Sequence, residues 1–247
     1  MAEEKIKISA VSYLNTKPFL YGLQHSGLIN EIDLSLDVPA VCAAKLISGE
    51  VQIGIVPVAA IPQIKDAKVI TDYCIGAEGE VASVCIYSNV ELHSIKKLLL
   101  DYQSRTSVKL AEILLKRYWQ YLPEFVPAKE GYENTIADTT AGVIIGDRTF
   151  TLKNKYKYVY DLAETWQKWT GLPFVFAAWV TRTPLSNEFV TKLNKAFEYG
   201  INHIDEVAES EQPNFPDYDV KHYLSENISY PFDHNKKEAL KKFLKLL

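Results

Sequence analysis

Short apolar runs rich in β-branched residues alternate with helical patterns along the chain, and this alternation constrains the fold more than any other feature. The runs typical of strands cover residues 6–11, 34–38, 52–56, 68–74, 81–87, 97–101, 143–145, 158–162 and 174–180. The patterns typical of helices cover residues 18–23, 41–48, 108–121, 188–203 and 236–247. This order predicts an α/β fold with mixed, mostly parallel sheets and helices on both faces.

No Gly/Ser-rich linker divides the 247 residues into independent domains. Two crossings, near Ser88 and near Gly171, instead fit a chain that enters a second lobe and then returns. Such a pair of crossings would act as a hinge between the lobes. The basic amphipathic pattern at residues 236–247 is expected to pack on its own lobe rather than on a membrane.

Charge and composition exclude several classes of function. The net charge of −4 gives no basic footprint of the kind that nucleic-acid binders carry. Residues 1–5 are acidic rather than apolar, and no apolar run reaches the length of a membrane span. We therefore expect a cytoplasmic protein that neither inserts into membranes nor binds nucleic acid.

Cysteine and histidine are too scattered to predict a metal site. The three cysteines, Cys42, Cys74 and Cys85, have no ligand spacing and are typical of small buried thiols. The five histidines form no pair at helical ligand spacing. The sequence therefore predicts no metal site.

Polar residues gather where three predicted strands end and helices begin, at residues 11–19, 100–107 and 144–149. Asn15 and Thr16 are good N-cap residues, and Pro18 suits the first turn of a helix. Helix N-termini at the carboxyl ends of strands bind carboxylates and phosphates, and Arg105 would add a bidentate clamp. Taken singly, each segment is more often a cap or a turn, but their joint placement predicts an anion site.

Five segments in order along the chain resemble the chorismate dehydratase family of the futalosine route to menaquinone. They are residues 11–16 (VSYLNT), 83–88 (SVCIYS), 104–107 (SRTS), 146–147 (GD) and 171–177 (GLPFVFA). The resemblance covers nearly the whole chain. The ordered set is specific, whereas no single segment is.

The resemblance implies a two-lobed fold like that of type II periplasmic binding proteins. Residues 1–88 and 174–247 would form lobe one, and residues 89–173 would form lobe two, with the substrate between them. It also implies cofactor-independent conversion of chorismate, a small dianion, to 3-[(1-carboxyvinyl)oxy]benzoate and water. Asn15 matches the family's catalytic asparagine. The residues expected to contact the substrate are Tyr13, Thr16, Ser83, Arg105, Thr106, Ser107, Gly146 and Asp147.

Two alternatives stay open at this point. One is the sister enzyme of the same pathway, 1,4-dihydroxy-6-naphthoate synthase, which shares the fold. Against it, Tyr13 stands in the opening segment where we would expect a Cys-Pro-Asn-Asp type sequence, and no histidine accompanies Gly146. The other is a non-catalytic cytoplasmic protein that binds a small anion, since fold alone does not fix function.

Overall fold

The computed structural model describes residues 5–152 and 154–247 and contains two β-sheets. The strands are β1 (Ile6–Val11), β2 (Ile32–Asp37), β3 (Ile53–Pro57), β4 (Lys68–Ala77), β5 (Val84–Ser88), β6 (Lys97–Leu100), β7 (Glu124–Pro127), β8 (Thr140–Ile145), β9 (Tyr158–Asp161), β10 (Phe174–Thr181) and β11 (Ser229–Pro231). The helices are α1 (Lys17–His25), α2 (Pro39–Ser48), α3 (Arg105–Arg117), α4 (Leu162–Thr170), α5 (Asn187–Asn202), α6 (Ile204–Glu211), α7 (Val220–His222) and α8 (His234–Leu244).

Each sheet is the centre of one lobe. The first has the strand order β11-β4-β10-β3-β1-β2, and the second has the order β7-β6-β8-β5-β9. Both ends of the described chain contribute to the first sheet, while the second is built from the middle alone. The two-lobed α/β class predicted from the sequence is therefore confirmed.

The expected predominance of parallel strands is wrong. Among the strand pairs of the described residues, four are parallel and five are antiparallel. Four of the five antiparallel pairs involve the two strands at which the chain changes lobes. Strand β5 runs antiparallel to β8 and β9 in the second sheet. Strand β10 enters the first sheet between β3 and β4 and runs antiparallel to both.

The passage into the second lobe lies a few residues earlier than the sequence pattern indicated. Strand β5 pairs with β8 and β9, so it already belongs to the second sheet. The boundary expected at residue 88 placed this strand in lobe one. Residues 81–83, predicted as the start of the strand, form a turn ahead of it. The return passage follows α4, at residues 171–173, and leads directly into β10.

The carboxyl-terminal helix packs on lobe one, as its pattern predicted. Ala239, Leu240 and Phe243 of α8 are buried. The Phe243 ring meets Phe174 of β10 edge to face, with 5.1 Å between the ring centroids. Among the described residues, no helix is long and apolar enough to cross a bilayer.

Candidate active site

A cavity of about 50 Å³ lies between the two lobes, smaller than the roughly 300–1,000 Å³ of typical small-molecule pockets. The carboxyl ends of β1, β3 and β8 reach it, as open α/β sheets favour. Its apolar lining is Val11, Pro39, Pro57, Ile75, Val81, Val84, Ile145, Phe176 and Ala177. Its other lining residues are Tyr13, Asn15, Thr16, Ser83, Ser104, Ser107 and Gly146.

Asn15 lies in a single 3₁₀ turn, Leu14–Thr16, between β1 and α1. Its side-chain amide has a partner at each end. The Asn15 Nδ2 donates to the hydroxyl of Tyr223 at 3.4 Å, and the Asn15 Oδ1 accepts from Thr16 Oγ1 at 3.2 Å. An amide bonded at both ends has a fixed orientation, so Asn15 presents the same groups to any bound ligand.

Ser83 follows a strained turn at Ala82. Ala82 has a φ of 61°, a left-handed value that costs non-glycine residues energy, and Ser83 N donates to Val81 O at 2.7 Å. The Asp161 carboxylate holds the turn by accepting the backbone N–H groups of Val81 at 3.0 Å and Ala82 at 2.8 Å. Burial raises the pKa of Asp161 to about 6, while its backbone N–H partners lower it.

The N-terminus of α3 supplies the second lobe's polar surface. The Ser104 side chain caps the helix by accepting the N–H of Ser107 at 3.1 Å, and it donates to Ser107 Oγ at 2.9 Å. The Ser107 hydroxyl can therefore donate its own proton toward the cavity. The positive end of the helix dipole favours an anion at this point.

Gly146 and Asp147 of lobe two meet the segment that carries Asn15. Gly146 has a φ of +66°, and a Cβ placed there would lie 2.7 Å from the Tyr13 ring, so only glycine fits. Both Asp147 carboxylate oxygens accept the N–H of Leu14, each at 3.1 Å. Burial raises the pKa of Asp147 to about 6, although the Leu14 N–H lowers it.

The basic side chains nearest the site are engaged outside the cavity. Arg105 Nη1 donates to Gln63 Oε1 at 2.9 Å in an exposed contact. Lys17 pairs with Glu211 of α6 at 2.7 Å. Arg148 forms ion pairs with Asp101 and Glu133. Among the described residues, the cavity lining contains no Lys, Arg or His, so hydrogen-bond donors without formal charge face the ligand.

The structure brings six of the nine expected site residues to the cavity. These are Tyr13, Asn15, Thr16, Ser83, Ser107 and Gly146. The other three lie behind the lining and join the lobes: Arg105 contacts Gln63, Thr106 Oγ1 accepts the N–H of Ala59 at 3.1 Å, and Asp147 binds Leu14. The sequence prediction missed Ser104, although its segment was singled out, and Tyr223, whose segment carries no recognisable motif.

No cluster of three or more His, Cys, Asp or Glu side chains suited to a metal ion occurs in the described parts of the chain. The cysteines Cys42, Cys74 and Cys85 are buried thiols. The groups available for chemistry at the cavity are therefore hydroxyls, one amide and backbone N–H groups.

Two relatives found by sequence are both described as chorismate dehydratases. The chain is 28% identical over 232 residues to the chorismate dehydratase of Thermus thermophilus, covering 85% of this chain and 84% of that protein. It is 36% identical over 110 residues to the chorismate dehydratase of Campylobacter jejuni, covering 42% of this chain and 47% of that protein.

Solved structures support the fold. A protein of Archaeoglobus fulgidus superposes with a TM-score of 0.76 at 16% identity, covering 100% of this chain and 97% of its own. The alkanesulfonate-binding protein of Xanthomonas axonopodis, bound to MOPS, superposes with a TM-score of 0.61 at 12% identity, covering 98% of this chain and 91% of its own. A Candida albicans protein with the generic periplasmic-binding-protein fold has a TM-score of 0.66 at 14% identity, with coverages of 98% and 90%.

The fold is thus that of the periplasmic binding proteins. The model of the family described as menaquinone biosynthesis matches residues 6–247, essentially the whole described chain. Together with the two chorismate dehydratase relatives, this match shows that the chain belongs to the menaquinone-biosynthesis family.

Proposed function

We propose that this protein is a hydro-lyase that converts chorismate to 3-[(1-carboxyvinyl)oxy]benzoate and water without a cofactor. The observation that carries the proposal is that the amide of Asn15, bonded at both ends, and the hydroxyl of Ser83 lie together at the cavity between the lobes. Membership of the menaquinone-biosynthesis family and the two chorismate dehydratase relatives support the same reaction.

The residues that line the cavity suit a dianion with a flat ring, which would enter when the lobes separate. The apolar walls of the cavity, including Ile75, Val84 and Phe176, would pack against the ring. The two carboxylates would accept hydrogen bonds from Ser83 in one place and from Ser107 at the N-terminus of α3 in another. Removed from bulk water, such donors bind anions strongly because their interactions are less screened.

The protein has to supply little driving force for the reaction, because formation of an aromatic product is itself favourable. The C–H bond breaks at the ring carbon that bears the enolpyruvyl ether, and its electron pair forms the new ring π bond. The C–O bond of the neighbouring ring hydroxyl breaks, and hydroxide leaves with one proton as water. The task of the protein is to orient the substrate and to stabilise developing charge.

We infer that the substrate's own enolpyruvyl carboxylate accepts the proton. Among the described lining residues there is no titratable carboxylate or imidazole to take it. Asp147 lies behind the lining and uses both oxygens for the Leu14 N–H. The tethered carboxylate has a high effective concentration beside the ring carbon. Asn15 cannot serve as a base, so its role is orientation and hydrogen bonding.

A comparison of substrates tests the proposal. Purified protein is incubated separately with chorismate and with the cyclic futalosine derivative used by the sister enzyme, and the products are identified by mass spectrometry. We expect loss of one water from chorismate and no reaction with the futalosine compound. Turnover of the futalosine compound alone would assign the sister activity, and tight binding of unchanged chorismate would assign a sensor.

A further inference from the structure

We propose that Tyr223 is a positioning residue that makes the Ser83 hydroxyl a hydrogen-bond donor to an oxygen of the ligand. The inference rests on the proposed function for the identity of the substrate. Its geometric basis is a chain of hydrogen bonds from Asn15 through Tyr223 to Ser83.

Tyr223 comes from the far end of the sequence and lies behind the cavity lining. It begins a π-helical turn, Tyr223–Asn227, that continues α7, and such turns often occur at functional sites. Its side chain is completely buried. The ring meets Phe150 of lobe two edge to face, with 4.9 Å between centroids, so Tyr223 lies where the lobes join.

The direction of the chain follows from what each group can do. The Asn15 Nδ2 can only donate, and Thr16 Oγ1 occupies the amide's oxygen end. The Tyr223 oxygen therefore accepts from Asn15 and donates its own proton to Ser83 Oγ, at 2.8 Å. Burial raises the pKa of the Tyr223 phenol above its ordinary value, which keeps that proton in place.

The consequence lies at Ser83. The Ser83 Oγ accepts a hydrogen bond from the Tyr223 hydroxyl. The Ser83 hydroxyl makes no other hydrogen bond to the described residues, so its own proton has no acceptor among them. Ser83 lines the cavity, which makes a ligand oxygen the natural acceptor. Tyr223 is absent from the cavity lining, so it acts through Ser83 and Asn15 rather than on the substrate.

Tyr223→Phe removes one oxygen atom and both hydrogen bonds. The matched control is Tyr230→Phe, because Tyr230 is equally buried in lobe one and its hydroxyl has no partner among the described residues. We expect Tyr223→Phe to lower kcat/KM on chorismate by about 5- to 50-fold, the range expected for lost buried hydrogen bonds. Tyr230→Phe should change it less than about twofold. Equal behaviour of the two variants would overturn the proposal.

A double-mutant cycle with Ser83→Ala separates positioning from a general structural effect. If Tyr223 acts through Ser83, Tyr223→Phe should cost much less in the Ser83→Ala background than in the wild type. Multiplicative losses would show independent action and contradict the proposal. Near-UV circular dichroism shows whether Tyr223→Phe folds. If it does not, a cycle between Ser83→Ala and Thr16→Ala replaces it, since Thr16 fixes the other end of the Asn15 amide. Independent losses in that cycle would overturn the proposal.

A binding measurement distinguishes this inference from the proposed function. Calorimetric titration with 3-methoxybenzoate reports on the Ser83 donor without any turnover. Weakened binding in Tyr223→Phe, but not in Tyr230→Phe, would support the inference even if chorismate proved not to be the substrate. Turnover of chorismate with equal kcat/KM and equal benzoate affinity in both variants would overturn the inference and leave the proposed function standing.

Discussion

The carboxylate of Asp147 in lobe two accepts the backbone N–H of Leu14 in lobe one, with 3.1 Å from the nitrogen to each oxygen. Leu14 immediately precedes Asn15, so this contact ties the second lobe to the segment that carries the central amide. Thr106, whose Oγ1 accepts the N–H of Ala59, makes a second bridge of the same kind. The observed arrangement is therefore a closed one.

The first prediction concerns stability and pH. Burial raises the pKa of Asp147 to about 6 from 3.8, so the native state holds this proton more tightly than the unfolded chain does. The contribution of this group to stability is greatest below about pH 4 and falls as the pH rises to about 6. Over that window the loss is about 3 kcal/mol.

Asp147→Asn removes the titration and retains an acceptor for Leu14. Its melting temperature relative to the wild type should therefore rise between pH 4 and pH 7. The second buried carboxyl, Asp161, whose pKa is also raised to about 6, is common to both proteins and cancels in the difference. A difference in melting temperature that is independent of pH would show that Asp147 titrates normally.

The second prediction uses two glycines in the same backbone conformation. Gly146 has a φ of +66° and faces Tyr13, whereas Gly171 has a φ of +71° and open space where a Cβ would lie. Alanine at either position should cost about 1–2 kcal/mol of stability for the left-handed backbone. Only Gly146→Ala should displace Tyr13 and lower kcat/KM, by about tenfold or more. Equal kcat/KM values in the two variants would show that Tyr13 does not contribute to the site.

The third prediction is that the Arg105 side chain does not contribute to substrate binding in the cavity. Its guanidinium contacts Gln63, and an exposed polar contact of this kind contributes little free energy. Arg105→Ala should change KM for chorismate by less than about threefold. Ser107→Ala, which removes a lining hydroxyl on the same helix, should raise KM by about tenfold. A tenfold rise in KM for Arg105→Ala, with no change in KM for Ser107→Ala, would show that the Arg105 guanidinium binds the substrate, as the sequence suggested.

Periodicity predicted the fold where elements are long or strongly patterned. Strands β1 and β10 and helix α5 were located within a residue or two, since their apolar periodicity is unambiguous. The short edge strands β7 and β11 were missed because three or four residues carry no periodicity. Strand direction was mispredicted because it depends on which strands become neighbours, as for β10 between β3 and β4 and for β5 between β8 and β9, and this is a tertiary property.

The cavity lining was predicted best where strand ends coincide with the family's segments. Asn15, Ser83 and Gly146 all reach the cavity. The direction of the Arg105 side chain could not be predicted from the neighbouring sequence. Adjacent positions along a helix point to different faces, and Arg105 contacts Gln63 rather than the cleft. Tyr223 could not be found at all, since 140 residues separate it from Ser83 and only folding brings the two together.

The most direct test of the account is the kcat for chorismate of two variants measured side by side. Asn15→Ala should lose most of kcat, because the fixed amide that orients the substrate is gone. Asp147→Asn should retain much of it, since in the proposed mechanism the substrate's own carboxylate takes the proton and Asp147 only joins the lobes. If a well-folded Asp147→Asn instead loses kcat and its pH profile shifts, the enzyme's carboxylate is the base and the substrate-assisted mechanism is wrong.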